Sequence, residues 1–224
     1  MSSRTPDDST LGPLSFRPII RQAIWGGTRL ASLLHKPSIH LDNCSESWEV
    51  VDLDDDQSIV ESGPHTGTTL NRLVENHAEP LLGRHAHLDA FPLLIKFLDA
   101  TDRLSLQVHP DNTIASRLHP GQQGKTEAWV ILAAEPDSRL WVGLKPGTTA
   151  SQLETAIADD NVDSCVNSFP ARTGQHLVVP AGTVHAIGAG IVLAEIQQPS
   201  DLTYRLFDWG RFDRDGSPRH IDLE

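Results

Sequence analysis

Four positions carry side chains able to hold a divalent metal: Gln107, His109, Glu127 and His185. The first two lie in Leu104-Ser105-Leu106-Gln107-Val108-His109-Pro110, where apolar and polar residues alternate. A strand repeats every second residue, so Ser105, Gln107 and His109 share one face and Leu104, Leu106 and Val108 the other. Serine, glutamine and histidine on one strand face suit a wet, functional cavity better than a dry core. Glu127 follows the turn-like Pro120-Gly121-Gln122-Gln123-Gly124 and opens a second strand, with Lys125 on the same face. His185 follows Pro180-Ala181-Gly182 in otherwise apolar surroundings. Burying an unpartnered imidazole there would cost about 1–3 kcal/mol, so a partner is expected, and a metal is one. Two imidazoles, a carboxylate and an amide oxygen at strand edges make a candidate metal site with room for a further ligand. A lone histidine is more often a structural hydrogen-bonder than a ligand. The ordered recurrence of three such pieces is what favours ligation.

Two charged residues sit inside apolar runs. Lys96 lies between Ile95 and Phe97, and Glu195 between Ala194 and Ile196. A carboxylate in such a run needs a partner or a raised pKa, and such groups concentrate at functional sites. The plainer alternatives are that Lys96 snorkels to the surface and that Trp25 plugs a barrel end. Asp52-Leu53-Asp54-Asp55-Asp56 reads as a solvated turn without a metal role. His35, His40, His65, His77, His85, His87, His119, His176 and His220 share no polar face with a second candidate ligand and receive no role.

The elements that must position these residues are short β-like runs separated by Gly, Pro, Asn and Asp. They cover 48–53, 91–98, 104–109, 127–134, 139–142, 176–179, 183–187, 191–197 and 204–207. Many short strands punctuated in this way predict a sandwich or barrel rather than a parallel α/β sheet. Helical spacing appears at 68–75, 114–118 and 151–158, the last with Ser151 and Glu154 at capping-box spacing and an apolar stripe of Leu153, Ala156 and Ile157. The 224 residues contain no internal repeat, so one domain over 14–224 is expected, after a loose polar tail at 1–13 that lacks the apolar core of a signal peptide. A net charge of −12 argues against nucleic acid or an anionic membrane as partner, but leaves room for a small anionic substrate in a cationic cleft. Cys44 and Cys165 are too few for a disulfide framework, and no stretch reaches membrane-spanning length. A cytoplasmic protein is the expectation, with a homo-oligomer as an open alternative to the monomer.

Taken together, these pieces resemble the cupin-type (type I) zinc-dependent mannose-6-phosphate isomerases, in particular the short bacterial forms. The likeness runs from Arg21-Gln22-Ala23-Ile24-Trp25-Gly26-Gly27 to Pro218-Arg219. It is strongest in Phe91-Pro92-Leu93-Leu94-Ile95-Lys96-Phe97-Leu98, Leu104–Asp111, Gly124-Lys125-Thr126-Glu127-Ala128-Trp129 and Tyr204-Arg205-Leu206-Phe207-Asp208. The resemblance implies a cupin, or jelly-roll, β-barrel with a few short helices and one Zn2+ held by Gln107, His109, Glu127 and His185. It implies interconversion of mannose 6-phosphate and fructose 6-phosphate through a cis-enediolate. Arg205 matches the family's active-site arginine, and Glu195, Lys96, Ser105 and Lys125 match further active-site polar positions. Glu195 is the first choice for the proton shuttle, with Lys125 as its rival. Trp25 and Glu46 match residues that close the pocket, while Lys96, Ser105 and Arg211 would hold phosphate; Arg211 falls where some relatives carry lysine. The family's second, C-terminal barrel is expected to be absent. The competing readings are a non-catalytic cupin that senses a sugar phosphate and an iron-dependent cupin oxygenase. The amide ligand and the wealth of cations suit the oxygenase less well.

Overall fold

The computed structural model describes residues 11–37, 40–213 and 215–222; most of the expected tail lies outside the described residues. In the Ile191–Gln197 strand Glu195 and Gln197 are buried while Ala194 and Ile196 are half-buried. The strand is central: it pairs antiparallel with Leu94–Ala100 on one side and Glu127–Ala134 on the other. Around it a sheet of six strands runs in the order His176–Val179, Glu127–Ala134, Ile191–Gln197, Leu94–Ala100, Cys44–Val50 and Ile19–Gly27. A second sheet of five runs Val166–Pro170, Arg139–Leu144, His185–Ile187, Leu106–Val108 and Tyr204–Phe207. All neighbouring strands in both sheets are antiparallel. Leu98, Trp129, Ile131 and Leu193 of the first sheet pack in one buried cluster with Leu140 and Ile187 of the second. The sandwich or barrel expected from the punctuated strands is found, in the jelly-roll form that the resemblance implies.

The inward faces change character along their length. On three adjacent strands Lys96 precedes Leu98 and Ala100, Glu127 precedes Trp129 and Ile131, and Glu195 follows Ile191 and Leu193. Because the strands alternate in direction, the charged positions collect at one end of the barrel and the apolar ones fill the other. A second buried cluster covers the outer side of the five-stranded sheet, where Leu106, Trp141 and Ala186 meet Ala156 of the Ala150–Ala158 helix, with Leu153 and Ile157 packed alongside.

Several boundaries differ from the sequence reading. The capping box of that helix is Thr149 with Gln152, two residues before the expected Ser151 and Glu154; the spacing is the same, but only Thr149 stands at the extended residue before the first turn. The expected 68–75 helix runs Leu70–Leu82, past a non-helical His77 and through Pro80. The 91–98 strand starts at Leu94, after Pro92, which has no N–H to give a ladder. Val166–Pro170 was not expected, being polar and ending in proline; it is an edge strand, where both are tolerated. Ile19–Gly27 lacks period-two alternation and was also missed as a strand. No helix among the described residues is long and apolar enough to cross a membrane.

Leu193 is fully buried between the two sheets. Leu193→Ala is expected to lower unfolding free energy by about 2–5 kcal/mol, through lost transfer energy plus a cavity. Urea denaturation measures it; a change within a few tenths of a kcal/mol would mean that this cluster is not the core that holds the sheets together.

Candidate active site

Strand register brings the candidate residues together. His185 lies directly opposite Gln107, and Arg205 opposite Gln107 on the other side, so three adjacent strands set these side chains in one row. In the facing sheet Glu195 lies opposite Lys96 on one side and Trp129 on the other. Directly opposed residues have Cβ atoms about 4.5–5.5 Å apart and point to the same face. The Glu127 strand is fastened to the end of the His109 strand through Gly124. Its N–H donates to the Asn112 side chain at 2.8 Å, and a Cβ there would stand 2.6 Å from the Asn112 nitrogen. Any side chain at 124 would push Lys125 and Glu127 away from His109.

The ligand atoms of His109, Glu127 and His185 lie within 4.8 Å of one another, and all three residues are buried. His109 Nδ1 donates to the Leu202 carbonyl at 2.9 Å and His185 Nδ1 to the Thr183 carbonyl at 2.9 Å. A neutral imidazole that donates from Nδ1 presents a bare lone pair at Nε2. Those lone pairs face the Glu127 carboxylate, His109 Nε2 at 3.0 Å from Oε1 and His185 Nε2 at 3.8 Å from Oε2. His109 Nε2 has no hydrogen-bond partner among the described residues. Acceptors crowded together in this way repel unless a cation joins them. The Gln107 amide completes the group, its nitrogen 3.3 Å from His185 Nε2. Amide nitrogen and oxygen are nearly the same size, so this side chain can also offer oxygen there.

Protonation agrees with ligation. Burial and the nearby Lys125 ammonium outweigh the attraction of Glu127 and push His109 down to about 4. Burial likewise lowers His185. For Glu127 burial works upward, but Lys125 and the two imidazoles hold the carboxyl well below its usual range. Neutral imidazoles and an ionised carboxylate are the forms a metal needs. Two nitrogens, a carboxylate and an amide with an open side match what Zn2+ accepts.

A cavity of about 290 Å³ opens beside this cluster, lined by Trp25, Glu46, Lys96, Ser105, Gln107, Lys125, Glu127, Glu195, Arg205 and Arg219 among others. Lys96 does not snorkel: it is 3% exposed, its Nζ 3.1 Å from Glu195 and 3.4 Å from Glu46. Burial would lower it, but those two carboxylates hold its ammonium well above the ordinary lysine range. Glu195 is raised, by burial and by Glu127, against the pull of Lys96; its other oxygen accepts the Trp129 indole N–H at 2.9 Å. Lys125 lies 3.2 Å from Glu127. Ser105 donates to the Gln107 amide oxygen at 3.3 Å. Trp25 does two things at once, lining the cavity and packing into the apolar cluster. A larger groove, about 580 Å³, runs beside the Ala150–Ala158 helix and holds none of these residues. Asp52 departs from the solvated-turn reading: it is buried, accepting from Gln57 at 2.7 Å and from the Phe91 N–H at 2.8 Å.

Residues 14–128 match the phosphomannose isomerase type I catalytic domain. The chain is 40% identical over 215 residues to the mannose-6-phosphate isomerase ManA of Bacillus subtilis (strain 168), covering 96% of this chain and 67% of that protein. The chain belongs to the type I phosphomannose isomerases. The crystal structure of the mannose 6-phosphate isomerase from Bacillus subtilis superposes with a TM-score of 0.87 at 33% identity, covering 95% of this chain and 67% of that one. A zinc-bound mannose 6-phosphate isomerase shares the fold, with a TM-score of 0.69 at 14% identity over 94% of this chain and 72% of that one. This member of the isomerase family thus spans about two thirds of the length of the relatives it matches in Bacillus subtilis.

Arg211 is a correction. The likeness to relatives with lysine made it a phosphate ligand, but its guanidinium turns away to Asp208, Asp102 at 3.4 Å and the Arg103 carbonyl, and it does not line the cavity. Arg219 takes the place beside Arg205. Sequence reasoning reached Arg219 only as the last residue of the resemblance, because it lies on no periodic strand.

Both imidazoles in this isomerase are shifted downward. Between the His109 value near 4 and its ordinary 6.5, the unfolded chain binds a proton that the native site refuses. The stability of metal-free protein should therefore fall as pH is lowered through that window. Melting temperatures recorded from pH 7 to pH 4 test this, and a rise on acidification would contradict neutral ligating histidines.

Proposed function

We propose that this chain interconverts mannose 6-phosphate and fructose 6-phosphate through a cis-enediolate, with Gln107, His109, Glu127 and His185 holding one Zn2+. The convergence of those four donors at the wall of a cation-bearing cavity carries the reading. A zinc held by these residues would supply Lewis-acid polarisation of the sugar's carbonyl oxygen. Glu195 moves the proton between C1 and C2. It is buried on the cavity wall, its oxygens are held by Trp129 and Lys96, and its raised pKa suits a group that must both take and return a proton near neutral pH. Lys96 cannot compete for that role, since an ammonium held up by two carboxylates does not accept a proton; it orients Glu195. Lys125, the rival base, is engaged by Glu127 and balances its charge.

Arg205 provides the fixed positive charge for the developing oxyanion. Its guanidinium donates to the His220 carbonyl at 2.9 Å, and its backbone N–H to Asp222 at 2.8 Å, which pins the residue to the C-terminal segment. Trp25 and Glu46 wall the sugar, and Ser105 contributes a hydroxyl beside Gln107. The cations of this one cleft reconcile an acidic chain with an anionic substrate. A sensor role is the less favoured alternative, because the cavity keeps a complete acid–base and cationic set, and the curated relatives are isomerases.

Three results are expected in an assay that couples fructose 6-phosphate formation to a dehydrogenase. A strong chelator should abolish turnover, and added Zn2+ should restore it. Arg205→Ala should cut turnover about 10²–10³-fold with bound zinc unchanged. Glu195→Gln should lose turnover with zinc and fold intact, whereas Lys125→Met retaining less activity than Glu195→Gln would transfer the shuttle to Lys125.

A further inference from the structure

The two imidazoles of the metal cluster are aimed by different means. His185 Nδ1 donates to the Thr183 carbonyl, only two residues away. His109 Nδ1 instead reaches across 93 residues to the Leu202 carbonyl at 2.9 Å. Leu202 lies on no strand; it belongs to the connection between Ile191–Gln197 and Tyr204–Phe207. The direction of His109 Nε2 therefore depends on how that connection is held.

Two buried polar side chains hold it. Gln197, 1% exposed, donates from Nε2 to the Ser200 carbonyl at 2.6 Å and to the Gln198 carbonyl at 2.9 Å. Ser200, fully buried, accepts the Leu202 N–H on its hydroxyl at 3.2 Å. Hydrogen bonds thus link Gln197 through Ser200 and Leu202 to His109. Gln198 fixes the base of the connection: its N–H donates to the Thr126 carbonyl at 3.1 Å, and its side-chain oxygen accepts the Thr126 N–H at 2.9 Å. Thr126 precedes Glu127, and Gln197 lies directly opposite Glu127 in the ladder. One connection is registered against two metal-ligating residues at once.

Stability alone does not account for Gln197. Its Oε1 is buried and accepts no hydrogen bond among the described residues. A buried acceptor left unpaired is costly, and an apolar side chain of similar volume would avoid that cost. What the amide can do, and an apolar side chain cannot, is donate twice. Both donations go to the connection that carries Leu202.

We propose that Gln197 and Ser200 are positioning residues for the zinc centre, holding the Leu202 carbonyl where it accepts the His109 Nδ1–H and so turns Nε2 toward Glu127. Partners that orient a ligating imidazole govern how tightly the metal is held. The proposal rests on His109 being a zinc ligand and not on the identity of the sugar.

Competition with a chromophoric chelator measures zinc affinity, beside the melting temperature of the metal-free protein and the visible spectrum of the cobalt-loaded protein. Ser200→Ala and Gln197→Met should each weaken zinc binding about tenfold. The double variant should lose scarcely more than either, because both act through one carbonyl. The cobalt bands should change in both single variants and return in Ser200→Thr, which keeps the hydroxyl. Ser138→Ala is the control. Ser138 is also buried, and its hydroxyl donates to the Ala189 carbonyl at 2.7 Å, beyond the opposite end of the Ile191–Gln197 strand. That variant should melt earlier with zinc affinity unchanged. Wild-type affinity in both single variants, an equal loss in Ser138→Ala, or additive losses in the double variant would each overturn the proposal. Should Ser200→Ala not fold, Gln197→Met decides it, and unchanged zinc affinity there refutes the positioning role. Wild-type protein that binds no zinc would overturn the metal reading and this proposal with it. Zinc binding in the expected order without isomerisation would sink the isomerase reading alone.

Discussion

The buried carboxylate of Glu127, facing two imidazole lone pairs, is the constraint around which the rest of the site is arranged. Carbonyls of Leu202 and Thr183 take the Nδ1 protons and so turn both Nε2 atoms inward, unprotonated. An anion and two lone pairs enclosed together are unstable by themselves. Lys125 offsets part of that cost from one side, and the single indole N–H of Trp129, shared with Glu195 at 2.9 Å, reaches the other oxygen at 3.1 Å. A divalent cation would complete it. Tension of this kind, held in place by a rigid barrel, is how a fold stores metal affinity.

The barrel tolerates the polar end because its inward faces divide their work. Trp129, Ile131, Leu193, Leu98 and Ile187 form an apolar block at one end. At the other end, strands running in opposite directions present Lys96, Glu127 and Glu195 at matching heights. Lys96 lies between two carboxylates and Glu195 between a lysine and an indole, so their charges sit out of water with opposite charges beside them, although Glu195 Oε1 accepts no hydrogen bond among the described residues. In the facing sheet the antiparallel ladder sets His185, Gln107 and Arg205 in one row and thus fixes how far the cationic group stands from the metal ligands.

Near the zinc ligands Lys96 and Lys125 are paired with carboxylates, and at the C-terminal turn Arg211 and Arg219 share the buried Asp208, with Asp102 and Asp213 beside them. The cavity wall carries Lys96, Lys125, Arg205 and Arg219 beside four carboxylates, so the cleft is far less negative than the chain as a whole. Net charge, being a sum over the whole surface, says little about such a cleft.

Residue types and period-two alternation alone determined the donors and several strands: Gln107 and His109 share a face, and the 127–134, 176–179, 191–197 and 204–207 runs are strands at the expected bounds. Those features are local, and local sterics decide them. The resemblance carried to particular positions added Arg205 and gave Glu195 its expected role. Only the tertiary structure decided which strand pairs with which: His185 meets Gln107 across 78 residues, and Lys96 meets Glu195 across a ladder that neither strand specifies by itself. It also placed Arg219, rather than Arg211, on the cavity wall. A guanidinium on a long flexible stem goes where a carboxylate meets it, and the position of Asp208 is set by the fold, not by its neighbours in the chain.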